Sequence, residues 1–122
     1  MQKTLEKIEL KRFDKPDEVR TFQKGKLDLV QVGGVTIGRA TFEPGWRWST
    51  CVKPLAKTAS CQEAHLGYLV SGTIKTRMDD GTEIVGKPGD VVSIPPGHDG
   101  WVEGNQNVVF IDFQGMKNYA RR

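Results

Sequence analysis

The sequence predicts a single all-β domain, built as a sandwich or barrel. Three observations carry this. From Lys26 onward, short runs rich in β-branched and aromatic residues recur at close spacing, about eight of them. Glycine and proline, 14 and six residues, punctuate those runs as turns and form no block of their own. No segment reads as a long helix. At 122 residues the chain fits one domain and can bury a core without disulfides or metal.

The elements follow in order. Residues 1–24 read as an N-terminal extension, and residues 25–122 as the barrel domain. Within the extension, residues 14–20 predict a short helical turn. Asp14 serves as a cap, Pro16 fixes an early dihedral, and Asp17 and Glu18 favour a helix start. Residues 26–32 alternate as a strand, Gly33-Gly34 supplies a tight hairpin turn, and residues 35–42 return as its partner. Residues 46–60 form a long connection, of the kind that is often functional or covers something. Strands resume at residues 61–70, 73–78, 82–85, 90–94, 101–103 and 108–113, separated by Ser71-Gly72, Asp79-Asp80-Gly81, Lys87-Pro88-Gly89 and Pro95-Pro96-Gly97.

Charge argues against several function classes. The net charge is +3, and the basic residues near the start (Lys3, Lys7, Lys11, Arg12, Lys15, Arg20) alternate with Glu6, Glu9, Asp14, Asp17 and Glu18. That is a solvated surface, not a nucleic-acid arm. Charges also interrupt the apolar residues at the start, so no signal peptide is read, and no run is long enough to span a membrane. The expectation is a cytoplasmic protein with Cys51 and Cys61 as free thiols. A Cys51–Cys61 disulfide stays open, because spacing alone does not show whether the two approach each other.

Two stretches resemble the paired motifs of the cupin superfamily: His65-Leu66-Gly67-Tyr68-Leu69-Val70-Ser71-Gly72, and Gly86-Lys87-Pro88-Gly89-Asp90-Val91-Val92-Ser93-Ile94-Pro95-Pro96-Gly97-His98. The intervening hairpin at Asp79-Asp80-Gly81 and the upstream Phe42-Glu43-Pro44-Gly45-Trp46 fit the same pattern, so the resemblance covers residues 42–115. It is similar to small single-domain bacterial cupins. The resemblance implies a double-stranded β-helix, or jelly-roll, barrel with any ligand or metal site inside its mouth. It also implies a homodimer, for which residues 26–32 are the candidate edge strand. Fold does not carry function here, since this superfamily hosts enzymes, binders and regulators.

The resemblance further implies a metal site of two histidines and a glutamate from the first motif and a histidine from the second. This chain departs from that pattern at each place. His65 stands at the glutamate position, Cys61 and Ala59 at the two histidine positions, and Gly100 at the histidine position of the second motif, with His98 two residues early. A substitute set is Cys61, His65 and His98. One thiolate and two imidazoles suit a divalent metal, zinc ahead of iron, with a fourth position open. Cys61 and His65 share parity on a strand, but four residues of regular strand separate them by about 13 Å. The sequence therefore favours His65 with His98 over Cys61, and disfavours a Cys61/His65 nucleophile pair. Beside this stands a structural reading: His65 a hydrogen-bonded buried histidine, Cys61 a small buried hydrophobe, His98 a turn residue.

Aromatic residues form the second candidate set. Trp48, Tyr68 and Trp101, with Arg47 for an anionic group or a tryptophan face, are the candidate ligand-pocket residues. Packing over the barrel end, or in the core, is the alternative for the aromatics, and solvation for Arg47. No nucleophile elbow and no phosphate loop is found. Three functions follow as expectations: a small-molecule binder, a metal-dependent isomerase, lyase or oxygenase on a small polar metabolite, and a structural or interaction module.

Overall fold

The computed structural model describes residues 7–121; the first six residues and the last one, which the domain division above also covers, lie outside the described residues. Nine strands and two one-turn helices make up the described chain. The strands are β1 (Glu18–Phe22), β2 (Gly25–Val32), β3 (Val35–Phe42), β4 (His65–Ser71), β5 (Thr73–Met78), β6 (Glu83–Gly86), β7 (Val91–Ile94), β8 (His98–Glu103) and β9 (Val108–Asp112). The helical turns are α1 (Trp48–Cys51) and α2 (Lys53–Ala56), within the long connection.

The strands form two antiparallel sheets, one in the order β1-β2-β3-β9-β4-β7 and one in the order β6-β5-β8. Among the described residues no strand is shared between the sheets, so they pack as an open sandwich and not as a closed barrel. The chain changes sheet at Gly72, whose φ of 76° suits glycine, and again through Pro95-Pro96-Gly97. The β2–β3 hairpin forms as the sequence predicts. Gly33 and Gly34 take φ of 62° and 76°, the pair of positive values that a two-residue hairpin loop requires.

Alternation along the strands builds the core. On β4, His65, Gly67 and Leu69 point inward, and Leu66, Tyr68 and Val70 face out. On β9, Val108, Phe110 and Asp112 are buried. Leu27, Leu29, Ala40, Phe42, Trp46, Trp48, Val102 and Met116 complete the interior. Burying each large apolar side chain contributes about 1.5–3 kcal/mol before entropy is counted, so this shared interior is what holds the two sheets face to face.

Two further expectations change. Residues 14–20 make no helix. A single turn, closed by the Lys15 N–H to the Arg12 carbonyl at 3.1 Å, leads into β1. Arg20 and Phe22 share the inward face of that strand, and two-residue alternation prevails over the helix-start signals around Pro16. Residues 26–32 form no sheet edge either. β2 is paired on both sides, and the edges of the larger sheet are β1 and β7.

Candidate metal centre

His65 opens β4 in the larger sheet, and His98 opens β8 in the smaller one. Both are buried. Cys61 does not continue β4. Its N–H donates to the His98 carbonyl at 2.8 Å, and its own carbonyl accepts from Gly97 N–H at 2.7 Å. Cys61 therefore belongs to the smaller sheet, and residues 62–64 carry the chain across to His65. The 13 Å separation of a regular strand does not apply. Cys61 Sγ lies 3.7 Å from His65 Nε2, and one ligand atom from each of Cys61, His65 and His98 falls within 4.8 Å of the others.

Each histidine has one ring nitrogen committed. His98 Nδ1 donates to the Pro95 carbonyl at 2.8 Å. His65 Nδ1 donates to Asp112 Oδ2 at 2.5 Å. The other oxygen of Asp112 accepts backbone N–H groups of Gln114 and Gly115, each at 2.9 Å. With Nδ1 protonated on both rings, each Nε2 keeps its lone pair, and that of His65 faces the Cys61 thiol. A carboxylate behind a ligand histidine fixes its tautomer and raises its basicity.

The electrostatics fit that assignment. Burial alone would raise the Asp112 carboxyl, but the hydrogen bond from His65 and the two backbone donors outweigh it and hold it below the usual range. Burial lowers His98, with His65 adding to the effect, so its ring is neutral near pH 7. Burial pushes the Cys61 thiol up to about 12. Without an ion the sulfur keeps its proton. Tyr119 stands edge-on to His65 with ring centroids 5.6 Å apart, and burial raises its phenol well above the ordinary value, so it stays neutral.

One pair of the donor set has the spacing of a zinc site. Tetrahedral zinc with bonds of ~2.3 Å to sulfur and ~2.0–2.1 Å to nitrogen puts those two atoms about 3.6 Å apart. The Cys61–His65 pair, at 3.7 Å, already has that spacing.

A cavity of about 50 Å³ lies between the sheets against His65 and His98. Trp46, Trp48, Phe110 and Met116 help to line it. Trp46 stacks on Phe42 with centroids 3.8 Å apart, and its buried indole N–H has no hydrogen-bond partner. Of the candidate pocket residues, Trp48 lines this cavity. Tyr68, Arg47 and Trp101 do not. Tyr68 is exposed on the outer face of β4. Arg47 lies over the Trp101 ring at 4.2 Å and pairs with Asp99 at 3.4 Å, on the outer side of β8. Asp112, a residue of the candidate centre that the sequence reading missed, sits at an inward position of an otherwise apolar strand. Cys51 and Cys61 are both buried free thiols.

No protein-family model matches the chain, and no curated protein does. Solved structures do match. A cupin-like protein from Thermotoga maritima aligns at TM-score 0.54 and 18% identity, over 80% of this chain and 73% of that one. A protein of unknown function from Acinetobacter sp. ADP1 aligns at TM-score 0.55 and 12% identity, over 82% of this chain and 97% of the other. Oxalate decarboxylase of Lactobacillus farciminis aligns at TM-score 0.58 and 16% identity, over 80% of this chain but only 31% of that longer protein. The chain has the cupin fold. No helix of the described residues is long and apolar enough to cross a membrane.

Proposed function

We propose that this chain binds a divalent metal ion of the zinc type through Cys61, His65 and His98, leaving a fourth position for a small ligand. One observation carries the reading: one ligand atom from each of Cys61, His65 and His98 lies within 4.8 Å of the others, in a buried group whose two histidines have Nδ1 hydrogen-bonded to the protein. When bound, such an ion polarises a carbonyl or lowers the pKa of a coordinated water. The chain's own residues do the rest. Asp112 holds the proton on His65 Nδ1, and the Pro95 carbonyl holds the one on His98 Nδ1. Cys61 gives up its proton to bind. The cavity beside the two histidines presents largely apolar walls. We read the two sheets as an open jelly roll whose end carries this centre.

The test is metal content of protein purified without a histidine tag, followed by zinc titration of wild type, His65→Ala and His98→Ala. One ion per chain, lost in either variant, is expected. A wild type that takes up no zinc overturns the reading.

A second reading rests on one alignment of atoms. The Cys61 thiol, His65 imidazole and Asp112 carboxylate follow each other at 3.7 and 2.5 Å, the order of a nucleophile, its base and an orienting acid. The raised thiol weighs against it. Metal-free protein that hydrolyses aryl esters, and loses this in Cys61→Ser, would favour it over the metal centre.

A further inference from the structure

The centre borders two spaces of opposite character. His65 and His98 line the interior cavity, and Cys61 does not. Cys61 lines a second space, a cleft of about 180 Å³, and the histidines do not. Trp48 and Tyr119 line both, so their side chains form the partition. The interior cavity, at about 50 Å³, has room for a few waters at roughly 10–15 Å³ each, and its walls are largely apolar. The cleft has an exposed, polar rim that includes Thr58, Gln62, Asn118 and Arg121.

The roof of the cleft is the segment that follows β9. Three carbonyls of its main chain, at residues 116, 117 and 119, are held by one side chain. Arg20, on the inward face of β1, donates to the carbonyls of Met116 at 3.2 Å, Lys117 at 2.9 Å and Tyr119 at 2.8 Å. Glu18 steadies the same guanidinium at 2.8 Å, and only 11% of the Arg20 side chain is exposed. Phe22, the next inward residue of β1, meets the Tyr119 ring edge-on with centroids 6.3 Å apart. The strand therefore grips the segment at its backbone and at its aromatic ring.

We propose that small polar ligands, and the ion itself, reach the centre through this cleft on the Cys61 side, and that Arg20 holds the roof that limits their passage. The inference rests on the metal reading only for what lies at the end of the route. The size and polarity of the cleft suit a molecule of a few non-hydrogen atoms with hydrogen-bonding groups. The interior cavity offers such a molecule largely apolar walls and few hydrogen-bonding partners.

The test is carried out on metal-free protein. Iodoacetamide is the probe, and its addition to Cys61 is read by peptide mass, which separates it from Cys51. Releasing the roof with Arg20→Gln raises the rate about fivefold or more, because local opening governs access to a buried thiol. Asn118→Trp, on the rim, lowers the rate by a similar factor, while Ile74→Phe, which fills the interior cavity from β5, leaves it unchanged. Equal rates in wild type, Arg20→Gln and Asn118→Trp overturn the proposal, as does a slow Ile74→Phe beside a normal Asn118→Trp. Should Arg20→Gln fail to fold, Asn118→Trp decides alone: slowed supports, unchanged overturns. Zinc binding is measured separately on the same variants. Its absence removes the metal reading, and the alkylation rates still decide on the cleft.

Discussion

Asp112 Oδ2 accepts the Nδ1 proton of His65 at 2.5 Å, and this one bond ties the last strand of the larger sheet to the ligand end of β4. The carboxylate has no exposure and is itself held by two backbone N–H groups, so it cannot swing away when an ion draws on the imidazole. Asp112→Asn keeps an acceptor oxygen but loses the charge. It is expected to weaken zinc about 10–100-fold, as loss of such a partner does elsewhere. Competition against a chelator of known affinity measures it, and an unchanged affinity would mean that the bond serves packing alone.

Zinc affinity should rise with pH. The Cys61 thiol, pushed up to about 12 by burial, is protonated throughout the neutral range, so each ion bound displaces one proton. Burial lowers His98, which therefore does not add a second proton near neutrality. The expected slope is about tenfold per pH unit between roughly pH 7 and 9, flattened in Cys61→Ser. Titrations at three pH values in one buffer series would show a flat line if the thiol were already ionised.

The metal-free chain should weaken in alkali. The ordinary thiol value is 9.0, and the folded value is about 12. A group raised by folding contributes stability that is present in full below the unfolded value and is lost as pH climbs toward the folded one. Tyr119, also raised by burial, acts in the same direction. Urea melts at pH 8 and pH 10.5 test this. A smaller loss in Cys61→Ala than in wild type is expected, and an equal loss assigns the effect to Tyr119.

Gly115→Ala should damage fold and site together. A Cβ there would press on the Ala64 carbonyl and on His65 Nδ1. Both sit at the start of β4 and have little room to move. About 1–3 kcal/mol of stability should be lost, the usual cost of overpacking, together with zinc affinity. Denaturant melts and zinc titration report the two losses separately, and a variant with wild-type affinity would show that His65 tolerates displacement.

Much of this was legible, and the parts that were not have identifiable causes. His65 and His98 stand out as the chain's two histidines, each within a recognisable motif. Cys61 has the right chemistry, but treating residues 61–65 as one strand gave it the wrong distance. Residues 62–64, in no regular structure, carry the chain from the smaller sheet to the larger, and local pattern has no signal for that. Parity places Tyr68 and Trp101 on the face away from the histidines. Each lies three residues from a motif histidine on the same strand, and an odd offset points the other way. Parity would also have found Asp112. Val108, Phe110 and Asp112 share one face of β9, and a carboxylate among buried apolar residues needs a partner. β1 was missed because its burial depends on Arg20 and on a segment almost a hundred residues away, with |i−j| of 99 for its bond to Tyr119.

The position of β9 has a consequence for how the molecule is made. β9 lies between β3 and β4 and is the one strand that joins β1-β2-β3 to β4-β7. On the ribosome both halves of the sheet emerge before it, each with an unpaired inner edge. They are joined only when residues 108–112 have left the exit tunnel, and the same five residues deliver the carboxylate that seats His65. A nascent chain stalled ahead of them would hold all three ligand residues and still lack a formed site. Completion of the sheet and seating of His65 are thus one late event in the life of the polypeptide.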